Sequence, residues 1–237
     1  MKHKPINLNI LTTLMLFLAL ESMAQSTTNS QSTNFYLEAY NIRGRPFVNP
    51  DASNIEGSPL LNLDWGQGTV YFKDGTVAQN VELKFNLEKN ELYFNRDGEL
   101  FLFNDPVMSF RMSYSSSAGK KEVHFRSGYP LNGRLNKETF YEVLEDGAKF
   151  QFLVYRSTYL ADSYQYGGQA KKAFKEIEEL YVFDVAFGKM IKIKRTEASL
   201  VEALPDLKDK ISSAIRNNRL KLKTNEDFAR IFTELNK

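Results

Sequence analysis

Covalent catalysis by serine or cysteine needs a histidine base, and this chain offers few candidates. It has no cysteine and only two histidines, His3 and His124. In KKEVHFRS, Val123 and Phe125 alternate with His124, which places the imidazole on the outward face of a strand. No GxSxG stretch is present to seat a nucleophilic serine. The sequence therefore predicts a solvated strand histidine at position 124 and no nucleophilic site.

Metal and phosphate chemistry have equally little support. A zinc site needs several histidine or cysteine ligands, which the chain lacks. The oxygen-rich stretch Asn95–Glu99 contains an arginine that does not suit a calcium loop, and a hairpin turn explains it. The glycines of Tyr166–Gln169 lack the lysine pattern of a phosphate-binding loop. No carboxylate pair stands out for hydrolysis. We expect no catalytic, metal-binding or cofactor-binding residues.

The N-terminus predicts export. Lys2 and Lys4 precede an apolar run over residues 10–20, and Ser22-Met23-Ala24 has the small-x-small pattern of a cleavage site. The run is far shorter than the ~20 residues that span a membrane, and no later run is longer. We expect a signal peptide over residues 1–24 and a soluble periplasmic or extracellular product. Because there is no cysteine, the product should be neither lipoprotein nor disulfide-bonded.

The sequence that follows the expected signal peptide predicts mainly β-strands. Residues 25–56 predict a flexible or extended leader with one or two short strands. Residues 57–195 alternate apolar and polar side chains between Asp-Gly pairs at 74–75, 97–98 and 146–147, which favour two-residue hairpin turns. This pattern predicts an antiparallel meander curled into a barrel-like or sandwich sheet.

The stretch ELYFNRDGELFLFND allows a specific register. A two-residue turn at Asp97-Gly98 sets Phe94 opposite Phe101 on one face and Tyr93 opposite Leu102 on the other. The first face should belong to the core. The second face should be wet, yet it carries the apolar residues Tyr93, Leu100 and Leu102. We expect these residues to be covered or to bind a partner.

Two further turns extend the pattern, of which Lys89-Asn90 is the weaker signal because it lacks glycine. A turn at Lys89-Asn90 would set Phe85 opposite Phe94, and would leave Glu82 and Lys84 exposed. A turn at Asp146-Gly147 would pair the following residues on one face: Tyr141 with Phe152, and Val143 with Phe150. The aromatic residues expected inside the curled sheet are Phe72, Phe85, Phe94, Phe101, Phe110, Phe125, Phe150 and Phe152.

Residues 196–237 predict two to three short helices. Thr224–Asp227 is a capping box that opens the last one. The apolar stripes are Leu207, Ile211 and Ile215, then Phe228, Ile231, Phe232 and Leu235. Helices this short are marginal alone, so we expect this annex to pack on the sheet. Its excess of basic residues makes it a candidate partner surface, formed by Arg216, Arg219, Lys221 and Lys223 together with Tyr93, Leu100 and Leu102.

Three stretches carry a family resemblance. They are GSPLLNLDWGQGTVYFKDGTV at 57–77, VELKFNLEKNELYF at 81–94 and LPDLKDKISSAIRNNRLKLKTNEDF at 204–228. Together they resemble small secreted proteins of the Bacteroidota type, which also open with a signal peptide. The resemblance implies export and a shared architecture, and it implies no functional residue.

The leading functional hypothesis is an exported, non-enzymatic envelope protein that binds an envelope protein, polysaccharide or lipid. The alternative is a β-barrel that binds an apolar small molecule or lipid, which requires an interior not filled by phenylalanines. A more distant alternative is a carboxylate-based hydrolase. No nucleic-acid partner is expected, because the formal net charge is only +2.

Overall fold

The structure, a computed structural model, describes residues 36–37, 42–47, 55–163 and 171–237. The expected signal peptide, its cleavage site, most of the leader and the Tyr166–Gln169 loop lie outside the described residues. Among the helices that the structure describes, none is long and apolar enough to cross a membrane.

The described strands form one sheet. They are β1 (Tyr36–Leu37), β2 (Gly44–Pro46), β3 (Ile55–Glu56), β4 (Gly66–Phe72), β5 (Val77–Asn86), β6 (Glu91–Arg96), β7 (Glu99–Phe103), β8 (Val107–Ser116), β9 (Gly119–Arg126), β10 (Tyr141–Asp146), β11 (Phe150–Ser163), β12 (Lys171–Asp184) and β13 (Lys189–Ile193). Their order across the sheet is β13-β12-β11-β10-β9-β8-β4-β5-β6-β7-β2. β1 and β3 attach to β5 and β12 as short parallel pairs.

This architecture confirms the expected mainly β, mostly antiparallel fold. The end strands β2 and β13 do not pair with each other, so the sheet is curled but open. The chain follows two meanders, β4–β7 and β8–β13, instead of one. They join side by side because β8 pairs with β4 and not with β7. The sheet also begins before residue 57, since β1, β2 and β3 fall within the expected leader.

Three helices follow the sheet in the described chain. They are α1 (Glu197–Ala203), α2 (Lys208–Asn217) and α3 (Asn225–Asn236), with a 3₁₀ turn at Pro205–Leu207. Thr196 caps α1 by accepting a hydrogen bond from the Ser199 amide at 3.2 Å. Thr224 and Asp227 form the expected capping box at the start of α3.

The helices pack on one face of β10–β13. The Phe152 ring stacks against Phe228 and Phe232, with centroid distances of 5.7 and 5.3 Å. The same buried cluster contains Val154, Leu180, Val182, Ile193, Leu200, Ile211, Ile231 and Leu235. Phe150 and Phe152 therefore lie under the helices. The sequence led us to expect them inside the curled sheet, and that expectation is wrong.

Aromatic rings fill the curled half, which is formed by β4–β9. The Phe85 centroid lies 5.2 Å from Phe110, 4.8 Å from Phe125 and 5.9 Å from Phe140. Phe72, Phe85, Phe94, Phe110 and Phe125 are all almost fully buried in this cluster. The interior is thus a packed core at the position where a ligand-binding barrel would have its cavity.

The register at Asp97-Gly98 is as expected, with Phe94 opposite Phe101 and Tyr93 opposite Leu102. The register expected at Lys89-Asn90 is wrong by two residues, since Phe85 pairs with Leu92 and not with Phe94. The turn there spans four residues, and Asn90 takes a positive φ of 56° within it. An even shift leaves every side chain on its expected face.

Two residues expected to be exposed are half-buried. The Lys84 ammonium lies 4.9 Å from the centroid of the Trp65 ring. The Glu82 carboxylate accepts a hydrogen bond from the Asn95 amide on the neighbouring strand. The outer face of β5 is therefore polar but occupied by contacts between side chains.

The Asp146-Gly147 hairpin differs more. Val143 pairs with Leu153, and a bulge follows before Glu145 pairs with Phe152. Tyr141 and Val143 consequently face away from Phe150 and Phe152, contrary to the expected pairing. A tertiary contact shapes this turn: the Lys149 and Phe150 amides donate to Asn236 Oδ1 at 3.0 and 2.9 Å.

Candidate functional site

The apolar residues expected on a wet face are covered by the chain itself. β2 pairs with β7, setting Arg45 opposite Leu102, and the Phe47 ring stacks on Tyr93 at 4.7 Å. Tyr93 and Leu102 are buried and Leu100 is half-buried. Of the two expected outcomes, cover or partner binding, the structure therefore shows cover at these residues. The cover comes from residues 42–47 and not from the C-terminal helices.

The basic residues expected to join that surface lie elsewhere. Arg216 ends the last turn of α2, and Arg219, Lys221 and Lys223 follow in the connection to α3. All four are exposed on the helical layer, which packs on β10–β13, whereas Tyr93 belongs to β6. The fold thus separates the seven residues into a buried group and a solvated basic surface.

His124 is not the solvated histidine that the strand pattern predicted. It is half-buried in a groove of about 530 Å³ on the face of β4, β8, β9 and β10 opposite the phenylalanine core. Burial, together with the charges of Arg126 and Arg111, lowers the pKa of His124 to about 4. The carboxylate of Asp146 acts in the opposite direction. The imidazole is therefore neutral at physiological pH.

This shift predicts a pH dependence of stability. The unfolded chain should protonate His124 near its ordinary pKa of 6.5, whereas the folded chain resists protonation until about 4. The free energy of unfolding should therefore fall as the pH is lowered across that window. Urea unfolding at several pH values should show that His124→Gln removes on the order of 1 kcal/mol of this fall, after allowance for solvent screening. Identical pH profiles for the two proteins would contradict the assignment.

A chain of ion pairs crosses the other face. Glu142 is buried and accepts a hydrogen bond from Arg156 at 2.5 Å, and Arg156 also contacts Glu178. Arg195 donates to Glu178 at 2.6 Å. Burial opposes ionisation of Glu178, but these arginines and Asn225 hold its pKa below the usual range.

These ion pairs do not suit hydrolysis. A general acid for glycoside cleavage needs a raised pKa, whereas Glu178 is held in its ionised form. The Glu142 carboxylate is bound to Arg156. Within the described chain, no group of three His, Cys, Asp or Glu residues is placed to hold a metal ion. The network therefore acts as a structural tie between β10, β11, β12 and the start of α3.

The most distinctive surface is an apolar cleft of about 740 Å³ at the β13 edge of the sheet. Phe187, in the turn between β12 and β13, is 83% exposed, and Leu131, which also lines the cleft, is 71% exposed. Residues 203–207, at the end of α1 and in the 3₁₀ turn, form a third wall. We define the cleft by its apolar lining: Pro130, Leu131, Phe187, Met190, Ile191 and Leu204.

Sequence reasoning missed this cleft. In the sequence, Phe187-Gly188-Lys189 indicates only a break between strands, and Gly188 does adopt a positive φ of 59° in the turn. The available signal was the phenylalanine itself, because turn tips favour Gly, Asn, Asp, Ser and Pro. The other two walls, at Pro130 and Leu131 and at residues 203–207, come from segments that are more than fifty residues apart from each other in the sequence.

No protein-family model, curated protein or solved structure matches this chain. Function must therefore be inferred from the geometry of the described residues alone. Two surfaces have the size and composition of binding sites: the apolar cleft beside β13 and the polar groove that contains His124.

Proposed function

We propose that this is an exported, non-enzymatic binding protein of the cell envelope that holds an extended apolar segment of a partner protein in the cleft beside β13. The single observation that carries the proposal is the exposure of Phe187 and Leu131 in the lining of one cleft. Scattered apolar side chains on a surface are ordinary, but a contiguous set around a cleft is typical of an interaction site.

The partner's form follows from the strand edge. β13 is the last strand of the sheet, and Lys189, Met190 and Ile191 line the cleft. The Met190 carbonyl already accepts a hydrogen bond from Asn132 Nδ2 at 3.2 Å, so a partner cannot rely on this group. An extended segment running along β13 would use other backbone groups of this edge strand while its side chains enter the cleft.

The cleft chemistry also favours a peptide over a free lipid. Asp184, Lys189 and Asp206 lie at its margin and give it charges of both signs. A polypeptide can match such a rim with its backbone and polar side chains, whereas an acyl chain cannot. The packed phenylalanine core speaks against the alternative of a lipid inside the sheet.

The proposal predicts a site-specific crosslink. A benzoyl-phenylalanine photocrosslinker in place of Phe187 should capture a partner protein in intact cells, because this turn forms one wall of the occupied cleft. The same group at Leu63, which is 69% exposed but outside the cleft, is the control and should capture none. Crosslinked bands are compared after immunoblotting and identified by mass spectrometry.

A second substitution makes the test specific to the cleft. Leu131→Asp changes another residue in the lining of the same cleft and should abolish the crosslink from position 187. Leu63→Asp, outside the cleft, should leave that crosslink unchanged. Equal crosslinking from positions 187 and 63 would refute the proposal. A product of twice the chain mass would show that the occupant is a second copy of this protein instead of a different partner.

Location is checked on the same cells. Export is proposed from the N-terminal pattern of the sequence and the resemblance to small secreted proteins. N-terminal sequencing of protein recovered from outside the cytoplasm should begin at or near Gln25. Protein in that fraction that retains Met1 would contradict cleavage.

A further inference from the structure

The groove beside His124 exists because β9 and β10 separate. Their pairing consists of only two residue pairs, Tyr141 with Arg126 and Glu142 with Phe125. Beyond Glu142, β10 bulges, and the two strands diverge. The backbone of β9 before Phe125 therefore has no β10 partner in the described chain, and its polar groups are available to the groove.

The groove has a mixed lining, and its polar side chains on β8 and β9 are arranged in facing pairs. Arg111 on β8 lies opposite His124 on β9, and Ser113 lies opposite Glu122. Gln67 on β4 pairs with Ser113 from the other side. This arrangement places a cationic end, Arg111, and a hydroxyl-and-carboxylate end on the same face of three adjacent strands.

Most neighbouring charges are already paired. Arg126 binds Asp146 through two hydrogen bonds of 2.9 and 2.6 Å. Glu142 is bound to Arg156 on the other face of the sheet. Arg111, in contrast, has no ion-pair partner within 4.0 Å among the described residues. The groove thus offers one cation without an ion-pair partner.

We propose that this groove binds a small acidic saccharide, with the carboxylate on Arg111 and the hydroxyls on His124, Gln67, Ser113 and Glu122. The neutral imidazole can donate one hydrogen bond and accept another, which suits a sugar hydroxyl. Arginine is the side chain that binds carboxylates in bidentate geometry.

Glu122 distinguishes this ligand from other anions. Its carboxylate accepts hydrogen bonds from hydroxyls but repels a second negative charge. The groove therefore favours a molecule with one charge at one end and hydroxyls at the other over a polyphosphate or a bare ion. Its volume of about 530 Å³ also exceeds the space needed for an ion alone. This inference concerns a surface other than the cleft beside β13 and does not depend on it.

The test is a titration of the protein with glucuronate. Binding is monitored by calorimetry and by the NMR signal of the His124 ring. The exported chain proposed above, which lacks residues 1–24, has His124 as its only histidine. Glucuronate should bind saturably at pH 7, and glucose should bind at least about tenfold more weakly, because it lacks the charge-assisted hydrogen bonds. Titration with oligogalacturonate tests whether the acidic sugar is recognised as a free monosaccharide or as a unit of a polysaccharide. Tighter binding of oligogalacturonate than of glucuronate indicates recognition within a polysaccharide.

Variants assign the binding to the groove. Arg111→Gln should weaken glucuronate binding at least about tenfold and leave glucose binding unchanged. Lys121→Gln is the matched control: it removes one charge from the same hairpin, but Lys121 pairs with Tyr114 on the opposite face. Ser113→Tyr, which fills the groove without changing its charge, should also abolish binding.

Three results would overturn the inference. One is the absence of saturable glucuronate binding by the protein that retains Arg111. Another is equal weakening by Arg111→Gln and Lys121→Gln. The third is binding of glucose or of inorganic sulfate as tight as that of glucuronate, since either would remove the need for an acidic sugar. Circular dichroism of each variant establishes that it is folded before binding is compared.

Discussion

Deletion of residues 196–237 is expected to lower the melting temperature by at least about 10 °C and to expose dye-binding surface. The helices cover Phe152 and its apolar neighbours on β11–β13. Burial of Phe228 and Phe232 alone contributes roughly 1.5–3 kcal/mol each. A change of 1 kcal/mol shifts the melting temperature by about 2–4 °C in a chain of this size. Thermal melts with a fluorescent apolar dye measure both effects.

The control for this deletion keeps the helices and removes their charge. Replacement of Arg216, Arg219, Lys221 and Lys223 by Gln should shift the melting temperature by only a few degrees, because all four are exposed. A truncated chain that melts at the original temperature and stays monomeric would mean that the helices add no stability to the sheet. The stacking of Phe152 on Phe228 and Phe232 makes that outcome incompatible with this packing.

The second large effect concerns the core of the curled half. Phe94→Ala is expected to reduce the free energy of unfolding by about 3–5 kcal/mol, as for other buried aromatic truncations. The Phe94 ring is fully buried and lies 5.6 Å from Phe101 and 4.6 Å from Phe103 between centroids. Gly44 on β2 approaches the same ring so closely that a Cβ there would lie 2.5 Å from it.

A cavity at Phe94 would be closed in by rigid strands and would collapse only partly. Glu99→Ala in the same hairpin is the control and should change stability by no more than ~0.5 kcal/mol, because Glu99 is exposed. Chemical denaturation of both variants at one pH provides the comparison. Similar losses at the two positions would contradict the assignment of Phe94 to a tightly packed core.

Local sequence was sufficient where a turn depends on its own residues. Asp97 and Gly98 both take a positive φ, 56° and 87°, so the two-residue turn and the pairing of Phe94 with Phe101 follow from that dipeptide. The register at Lys89-Asn90 was wrong, yet the faces were right. The alternation of side chains determines the face, whereas loop length determines the register.

Local sequence was insufficient where a distant group shapes the turn. At Asp146-Gly147, a Cβ on Gly147 would overlap the carboxamide of Asn236, which lies about ninety residues later in the chain. That side chain binds the Lys149 and Phe150 amides and leaves the hairpin with a bulge. No property of the dipeptide predicts this contact, so the faces of Tyr141 and Phe152 were assigned incorrectly.

The candidate sites also combine features that local sequence predicts with features that depend on distant contacts. His124 could be placed on its outward face from alternation with Val123 and Phe125. Its half-burial and lowered pKa could not, because the pKa is lowered first by burial in the folded sheet and then by Arg126 and by Arg111 on the neighbouring strand β8. The cover of Tyr93 by Phe47 likewise depends on β2 pairing with the far side of β7.

The sequence by itself determined the β class, the helical C-terminus and the core face of most strands. These properties depend on period, composition and short-range turn or cap preferences, which act between near neighbours. Only the tertiary structure decided that β8 returns to β4, that residues 42–47 cover Tyr93, and that Leu131 and Phe187 line the same cleft. Those outcomes depend on contacts between segments distant in sequence, whose energies are set by packing and not by local pattern.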